Sequence, residues 1–192
     1  MPNIAVVGAQ WGDEGKGKVV DLLSERFEVV ARYQGGPNAG HTVTIGGNRH
    51  ALHHVPSGVF RPGVRIVIGN GTVIDLAKLL EELDGLAAAK IALDGRLFLS
   101  DRAHVILPPM AAIDALAESS SSVSERIGTT KRGIGPTYEA KAARHGLRVG
   151  DLAETKLVED RVRKLITGPV GRSLRDAGQD PGDPAALARE AH

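Results

Sequence analysis

Seven residues near the start of the chain, Gly12-Asp13-Glu14-Gly15-Lys16-Gly17-Lys18, combine three glycines, two acids and two lysines. The spacing matches G-x-x-x-x-G-K, and the run lies between an apolar segment and a helical pattern, where a phosphate-binding loop belongs. Glycines leave backbone N–H groups free to curl round a phosphate, a helix N-terminus adds positive dipole, and Lys16 or Lys18 adds charge. The match breaks at Val19, which replaces the hydroxyl that normally holds a metal. Asp13 and Glu14 stand inside the loop instead. A carboxylate beside a phosphate is repulsive unless it binds a metal or moves a proton.

A second loop, Gly35-Gly36-Pro37-Asn38-Ala39-Gly40-His41-Thr42, has small residues that let a ligand lie against backbone. Asn38 offers a donor and an acceptor, and His41 titrates near neutrality. A third, Gly128-Thr129-Thr130-Lys131-Arg132-Gly133-Ile134-Gly135-Pro136, brings hydroxyls, two cations and three more glycines. The plain alternative for each is a solvated surface turn, and it competes best at the third. His50, His53 and His54 read as separate: strand alternation would send His53 to the opposite face, which argues against a shared metal. Arg144 reads from its neighbours as a solvated helix residue.

The elements that must position these loops follow from periodicity. Asn3–Val7 reads as a buried strand running into the first loop, and Gly15 opens a helix with Val19, Val20, Leu22 and Leu23 on one face. Glu28–Tyr33 is the next strand. Strand, Gly loop, helix, strand is a βαβ unit, so the class is α/β: a mostly parallel central sheet with flanking helices and a P-loop-like loop after the first strand. Both loops would then emerge at one carboxyl edge, where such folds bind ligands.

TVTI-GG-NRHAL reads as a hairpin on Gly46-Gly47. Val64–Ile68 is a strand followed by a Gly loop at Gly69–Thr72, and Asp75 caps a helix through Leu83. Ile91–Leu93 and Arg96–Leu99 suggest a second hairpin around Asp94-Gly95. Pro109–Glu118 and Leu152–Ile166 read as helices, Ser119–Ser122 as a flexible patch, and Gly168–His192 as irregular or truncated. The whole of 1–192 reads as one α/β region.

Composition limits the rest. Glycine accounts for 24 of 192 residues, well above the usual share of about 7%. The glycines have no triplet period and cluster in the loops above. Net charge is +1, which gives no electrostatic case for nucleic acid. There are no cysteines, so disulfides, thiolate zinc sites and cysteine nucleophiles are out. The N-terminus reads as neither signal nor transit peptide, and no stretch nears the roughly 18 apolar residues of a membrane span. The expectation is a cytoplasmic protein.

WGDEGKGK, GGPNAGHTV and GTTKRGIGPTYEAKAAR, in this order and with HHVPSGV and IGNGTVID between them, resemble the adenylosuccinate synthetase family from Asn3 to about Ile166. That family couples GTP to the joining of IMP and L-aspartate, forming adenylosuccinate, GDP and phosphate through 6-phosphoryl-IMP. The resemblance implies that Asp13 is the base at N1 of IMP and His41 the acid, with Lys16 neutralising charge in flight. It implies GTP contacts from Gly12, Asp13, Glu14, Gly15, Lys16, Gly17, Lys18, Gly40, His41 and Thr42. IMP contacts would come from Asp13, Glu14, Gly15, Lys16, Asn38, Ala39, Gly40, His41 and Thr130. Mg²⁺ would sit on Asp13 and the Gly40 carbonyl, and Arg144 would reach the IMP of a neighbouring subunit in a homodimer.

Family chains are considerably longer. The guanine-recognition segment and the aspartate loop of the family have no counterpart here, and no N-K-x-D run is present to read guanine. Two further readings therefore accompany the ligase. One is a truncated purine-nucleotide-binding module without ligase activity of its own. The other, a GTPase or kinase of another class, is opposed by Val19 and the acids in the loop.

Overall fold

The computed structural model describes residues 3–10, 15–38, 40–45, 48–120 and 128–191. Helix α1 (Lys16–Ser24) starts at Gly15, whose φ of 81° lies in the left-handed region. A four-residue turn leads into β1 (Val29–Gly35). The hairpin β2 (His41–Ile45) and β3 (Asn48–Leu52) is antiparallel, and Ile45 opposite Asn48 leaves a two-residue connection as expected. A short 3-10 turn at Ser57–Phe60 precedes β4 (Arg65–Ile74).

Strand β4 organises the sheet. It pairs in parallel with β1, with β5 (Leu97–Leu99) and, further along, with β6 (His104–Val105). Helix α2 (Leu76–Ala88) connects β4 to β5, capped by Asp75, whose Oδ1 accepts the Lys78 N–H at 3.1 Å. Helices α3 (Pro108–Ser120), α4 (Ile134–Ala142) and α5 (Thr155–Thr167) follow. The parallel sheet with flanking helices is the predicted architecture.

Two buried clusters divide the apolar side chains. Val30, Ile66, Ile68 and Ile74 of β1 and β4 pack with Val55, Val59, Leu79 and Leu86. Val105, Leu107 and Met110 pack with Val158, Val162, Leu165 and Leu187. Leu76 and Val149 touch both clusters, so the two are continuous.

Five expectations need correction. Asn3–Val7 is not a strand: Ile4 and Val7 are 56% and 71% exposed, and the segment runs without ladder pairing beside α1 and β1. Among the described residues β1 is an edge strand, and Asn3–Val7 forms no ladder with it. The Gly69–Thr72 run is no loop but the middle of β4. There β1 shifts register between Arg32 and Gln34, and a Cβ on Gly71 would stand 2.0 Å from the Tyr33 carbonyl oxygen.

Helix α2 continues past Leu83 and Gly85 to Ala88, with Leu86 of that extension buried in the core. The second hairpin does not form either. Arg96 donates to the carbonyls of Val64, Ala92, Val59 and Arg61. That locks 91–96 as a turn and feeds β5 into parallel pairing with β4. Finally, Gly168–His192 is not irregular: Pro169–Asp176 forms α6 and Pro184–Ala191 forms α7, with Leu174, Leu187 and Ala188 buried. Ser119 and Ser120 end α3, while Ser121 and Ser122 lie outside the described residues.

Gly71→Ala should lower stability by about 2–3 kcal/mol, since its new methyl meets backbone that cannot yield. Gly85→Ala should instead raise it by about 0.5–1 kcal/mol, through helix propensity in open space. Urea unfolding of the two variants checks the contrast.

Candidate functional site

The first loop meets the structure at Gly15. Gly12, Asp13 and Glu14 lie outside the described residues, as does Ala39. The Gly15 carbonyl accepts the N–H groups of Lys18 and Val19 at 3.0 and 3.1 Å, so α1 begins there, with Lys16 and Lys18 exposed in its first turn. The helix is held in place. Ser57 Oγ donates to the Gly17 carbonyl at 2.9 Å, and Arg61 pairs with Glu25 at 2.7 Å near the other end. Helix α1 also packs against β1 and β2, the two strands that flank the second loop.

That second loop begins where β1 ends. Arg32, within β1, turns its guanidinium under the loop: Nη2 donates to the Gly36 carbonyl at 2.7 Å and Nη1 to the carbonyl of His53. Burial pulls the Arg32 guanidinium below its ordinary pKa, while Glu82 and Tyr138 oppose that shift. From the other side, Glu82 of α2 accepts the N–H groups of His53, His54 and Val55 at 3.1, 2.9 and 3.0 Å. The 53–55 turn is thus gripped by its carbonyls and its amides at once. His53 in turn packs against Gly40, where a Cβ would come within 3.0 Å of His53 Nε2. Asn38, Gly40 and Thr42 are exposed along this edge, and His41 opens β2 opposite Leu52.

The third loop closes from the far side. Gly128, Lys131 and Gly133 all have positive φ, at 75°, 54° and 74°. Of the three only Lys131 carries a Cβ in this region. Gly133 cannot be replaced cheaply, as a Cβ there would stand 2.6 Å from the Ala111 nitrogen. Its own N–H donates to Asp114 at 2.9 Å. Thr130 is exposed, and Arg132 reaches back to donate to the Pro37 carbonyl. The second loop therefore touches the third directly, and its β2 end packs beside α1.

Arg144 is not in a helix. It follows the end of α4 with a φ of 64°, exposed to solvent. The three histidines part company, though not through strand alternation, because β3 ends at Leu52 before His53 and His54. His50 stacks near Phe60 at 5.0 Å, and His53 faces Gly40. His54 is buried and accepts the Asp75 N–H at Nε2, 3.3 Å away. Among the described residues no cluster of three or more His, Asp or Glu side chains could hold a metal. No helix is long and apolar enough to cross a membrane, again among the described residues.

Sequence reasoning missed Arg32, Glu82 and Tyr138. Arg32 carried a faint signal, a cation inside the apolar strand VVARY. Glu82, in the run Glu81-Glu82, looks like any solvated helix acid.

Burial, helped by the Arg32 charge, lowers the His54 pKa from 6.5 to about 4. The neutral ring is the folded form, so the unfolded chain binds the extra proton between those values. Stability should be complete above about pH 6.5 and fall towards pH 4 by as much as about 3 kcal/mol. Urea midpoints measured at pH 7.5 and pH 5 should show the loss, and His54→Asn should flatten part of it.

With this geometry in view, comparison with known proteins is direct. A family model for adenylosuccinate synthetase matches residues 5–175. The adenylosuccinate synthetase of Solibacter usitatus is 54% identical over 156 residues, covering 81% of this chain and 36% of that protein. That of Moorella thermoacetica is 58% identical over 154 residues, covering 80% and 36%. The fully ligated Plasmodium falciparum adenylosuccinate synthetase structure superposes with a TM-score of 0.82 at 38% identity, over 96% of this chain and 42% of that one. A cyanophage S-2L succinoaminodeoxyadenylate synthetase, bound to dGMP and dATP, gives 0.58 at 27% identity, over 84% and 41%. This chain thus spans about two fifths of its relatives' length, and over that span it belongs to the adenylosuccinate synthetase family.

Proposed function

We propose that the chain is the N-terminal portion of an adenylosuccinate synthetase, which ligates IMP and L-aspartate at the expense of GTP through 6-phosphoryl-IMP, with IMP and GTP bound at the carboxyl edge of the sheet. What supports this is the convergence there of the α1 N-terminus, the Gly35–Asn38 loop and the Thr130 loop, each bearing a family motif. A purine 6-oxo group is a poor nucleophile and a worse leaving group. Asp13 removes the N1 proton of IMP, and O6 attacks the γ-phosphorus of GTP. GDP departs, and the amine of L-aspartate then displaces phosphate from C6. His41 acts as the acid towards the transferring phosphoryl group, and Lys16 neutralises its charge.

The donors proposed for magnesium, the Asp13 carboxylate and the Gly40 carbonyl, are hard oxygens of the kind this ion selects. Gly40 is exposed and lacks a side chain that could screen its backbone. When bound there, magnesium neutralises phosphate charge. Gly12 to Lys18 and Gly40 to Thr42 hold the GTP phosphates, while Asn38, Ala39 and Thr130 face IMP. Arg144, exposed beyond α4, reaches the IMP of a neighbouring subunit in a cytoplasmic homodimer.

A second reading has one observation behind it: the chain spans only 35–42% of its relatives. On that reading it binds purine nucleotides without ligating them. The two separate in one experiment. Trp11, the only tryptophan, adjoins the first loop and reports nucleotide binding by its fluorescence. Adenylosuccinate absorbance reports ligation when GTP, IMP and L-aspartate are supplied together. The ligase reading expects both signals; binding without product supports the second reading, and neither signal overturns both. Asp13→Ala should abolish turnover, whereas His41→Asn should lower kcat by about 10²–10⁴-fold. A change in KM alone would make His41 a binding residue.

A further inference from the structure

The phenol of Tyr138 occupies an unusual position. It projects from α4, the helix that follows the third loop, to the point where β1 shifts its register against β4. Its oxygen accepts the Gly35 N–H at 2.8 Å and donates to the Gly71 carbonyl at 2.7 Å. One oxygen therefore closes the gap in the β1–β4 ladder at the point where the second loop leaves the sheet.

Two neighbours make the same connection. Ile134, in the first turn of α4, packs on Gly36, where a Cβ would lie 3.0 Å from its side chain. Arg132 donates to the Pro37 carbonyl. Three consecutive residues of the second loop are thus held by one seven-residue stretch, Arg132 to Tyr138, of the third loop and its helix. Each contact goes to loop backbone or to a glycine, so together they set where Asn38 and Gly40 stand and leave their own polar groups unspent.

We propose that Tyr138 is a positioning residue that latches the second loop to the third, so that the two halves of the nucleotide site are preformed and move as one body. This rests on the reading of Asn38 and Thr130 as IMP contacts. Preorganisation of this kind reaches affinity through the ordering cost that binding would otherwise carry. The hydroxyl is the decisive part, because the ring alone would fill the space without joining Gly35 to Gly71.

Tyr138→Phe keeps the ring and removes the latch. Hydrogen exchange should then speed up about tenfold at the amides of Gly35, Gly36 and Asn38, with Ile66–Ile68 of β4 unchanged. IMP affinity should fall by about the same factor. A merely structural role would raise exchange at both places together, and that result overturns the latch. Unchanged exchange at Gly35–Asn38 overturns it too, as does full IMP affinity in a chain whose loop has loosened. If Tyr138→Phe fails to fold, Arg132→Met removes the Pro37 contact instead and must loosen the same three amides. Should the unaltered chain bind no IMP, the assignment of the site fails while the exchange pattern still decides the latch.

Discussion

Everything at the candidate site leans on two charges, a buried glutamate and a half-buried arginine, that meet through backbone. Arg32 under β1 and Glu82 on α2 both face the 53–55 turn. The arginine takes its carbonyls and the glutamate takes its amides. A buried charge is costly unless every donor or acceptor it carries finds a partner, and here peptide groups supply those partners. Because Arg32 also donates to Gly36, the same side chain that satisfies the turn fixes the start of the second loop. His53, at the head of the turn, then limits Gly40.

Close approach of backbone accounts for small residues beside this clamp. Where β1 changes register, β4 comes so near that Gly71 has no room for a side chain. Tyr138 from α4 reaches the same point and restores the two hydrogen bonds the shift would have left open. Glycine here serves packing between strands as much as closeness to a ligand. The high glycine count accordingly has two origins, close packing of strands and the three candidate loops.

Local signals in the sequence served well where a local rule decides the outcome. The Asp75 cap, the Gly46-Gly47 hairpin spacing and the start of α1 at Gly15 all follow from residue type over a few positions. They failed where a distant group decides. Asp94-Gly95 is a sound turn, yet Arg96 ties it to carbonyls some thirty residues earlier and sends β5 into a parallel partnership. IGNGT reads as a strand ending in a loop until the neighbouring strand turns it into one continuous β4. Asn3–Val7 has the composition of a buried strand, but a strand also needs a partner for its ladder, and composition does not supply one.

The sequence by itself determined the chemistry on offer and its order: an acidic glycine loop, an Asn–His loop and a Thr–Lys–Arg loop, in the arrangement of one enzyme family. Those are properties of residue type and spacing, and they survive any uncertainty about packing. Only the tertiary structure decided which polar groups remain available to a ligand. Arg132 looked like a phosphate cation and is committed to Pro37, while Glu82 looked solvated and anchors a turn. The physical reason is that a polar side chain's partner is set by what the fold brings within about 3 Å of it, and for these residues that partner lies tens of positions away along the chain.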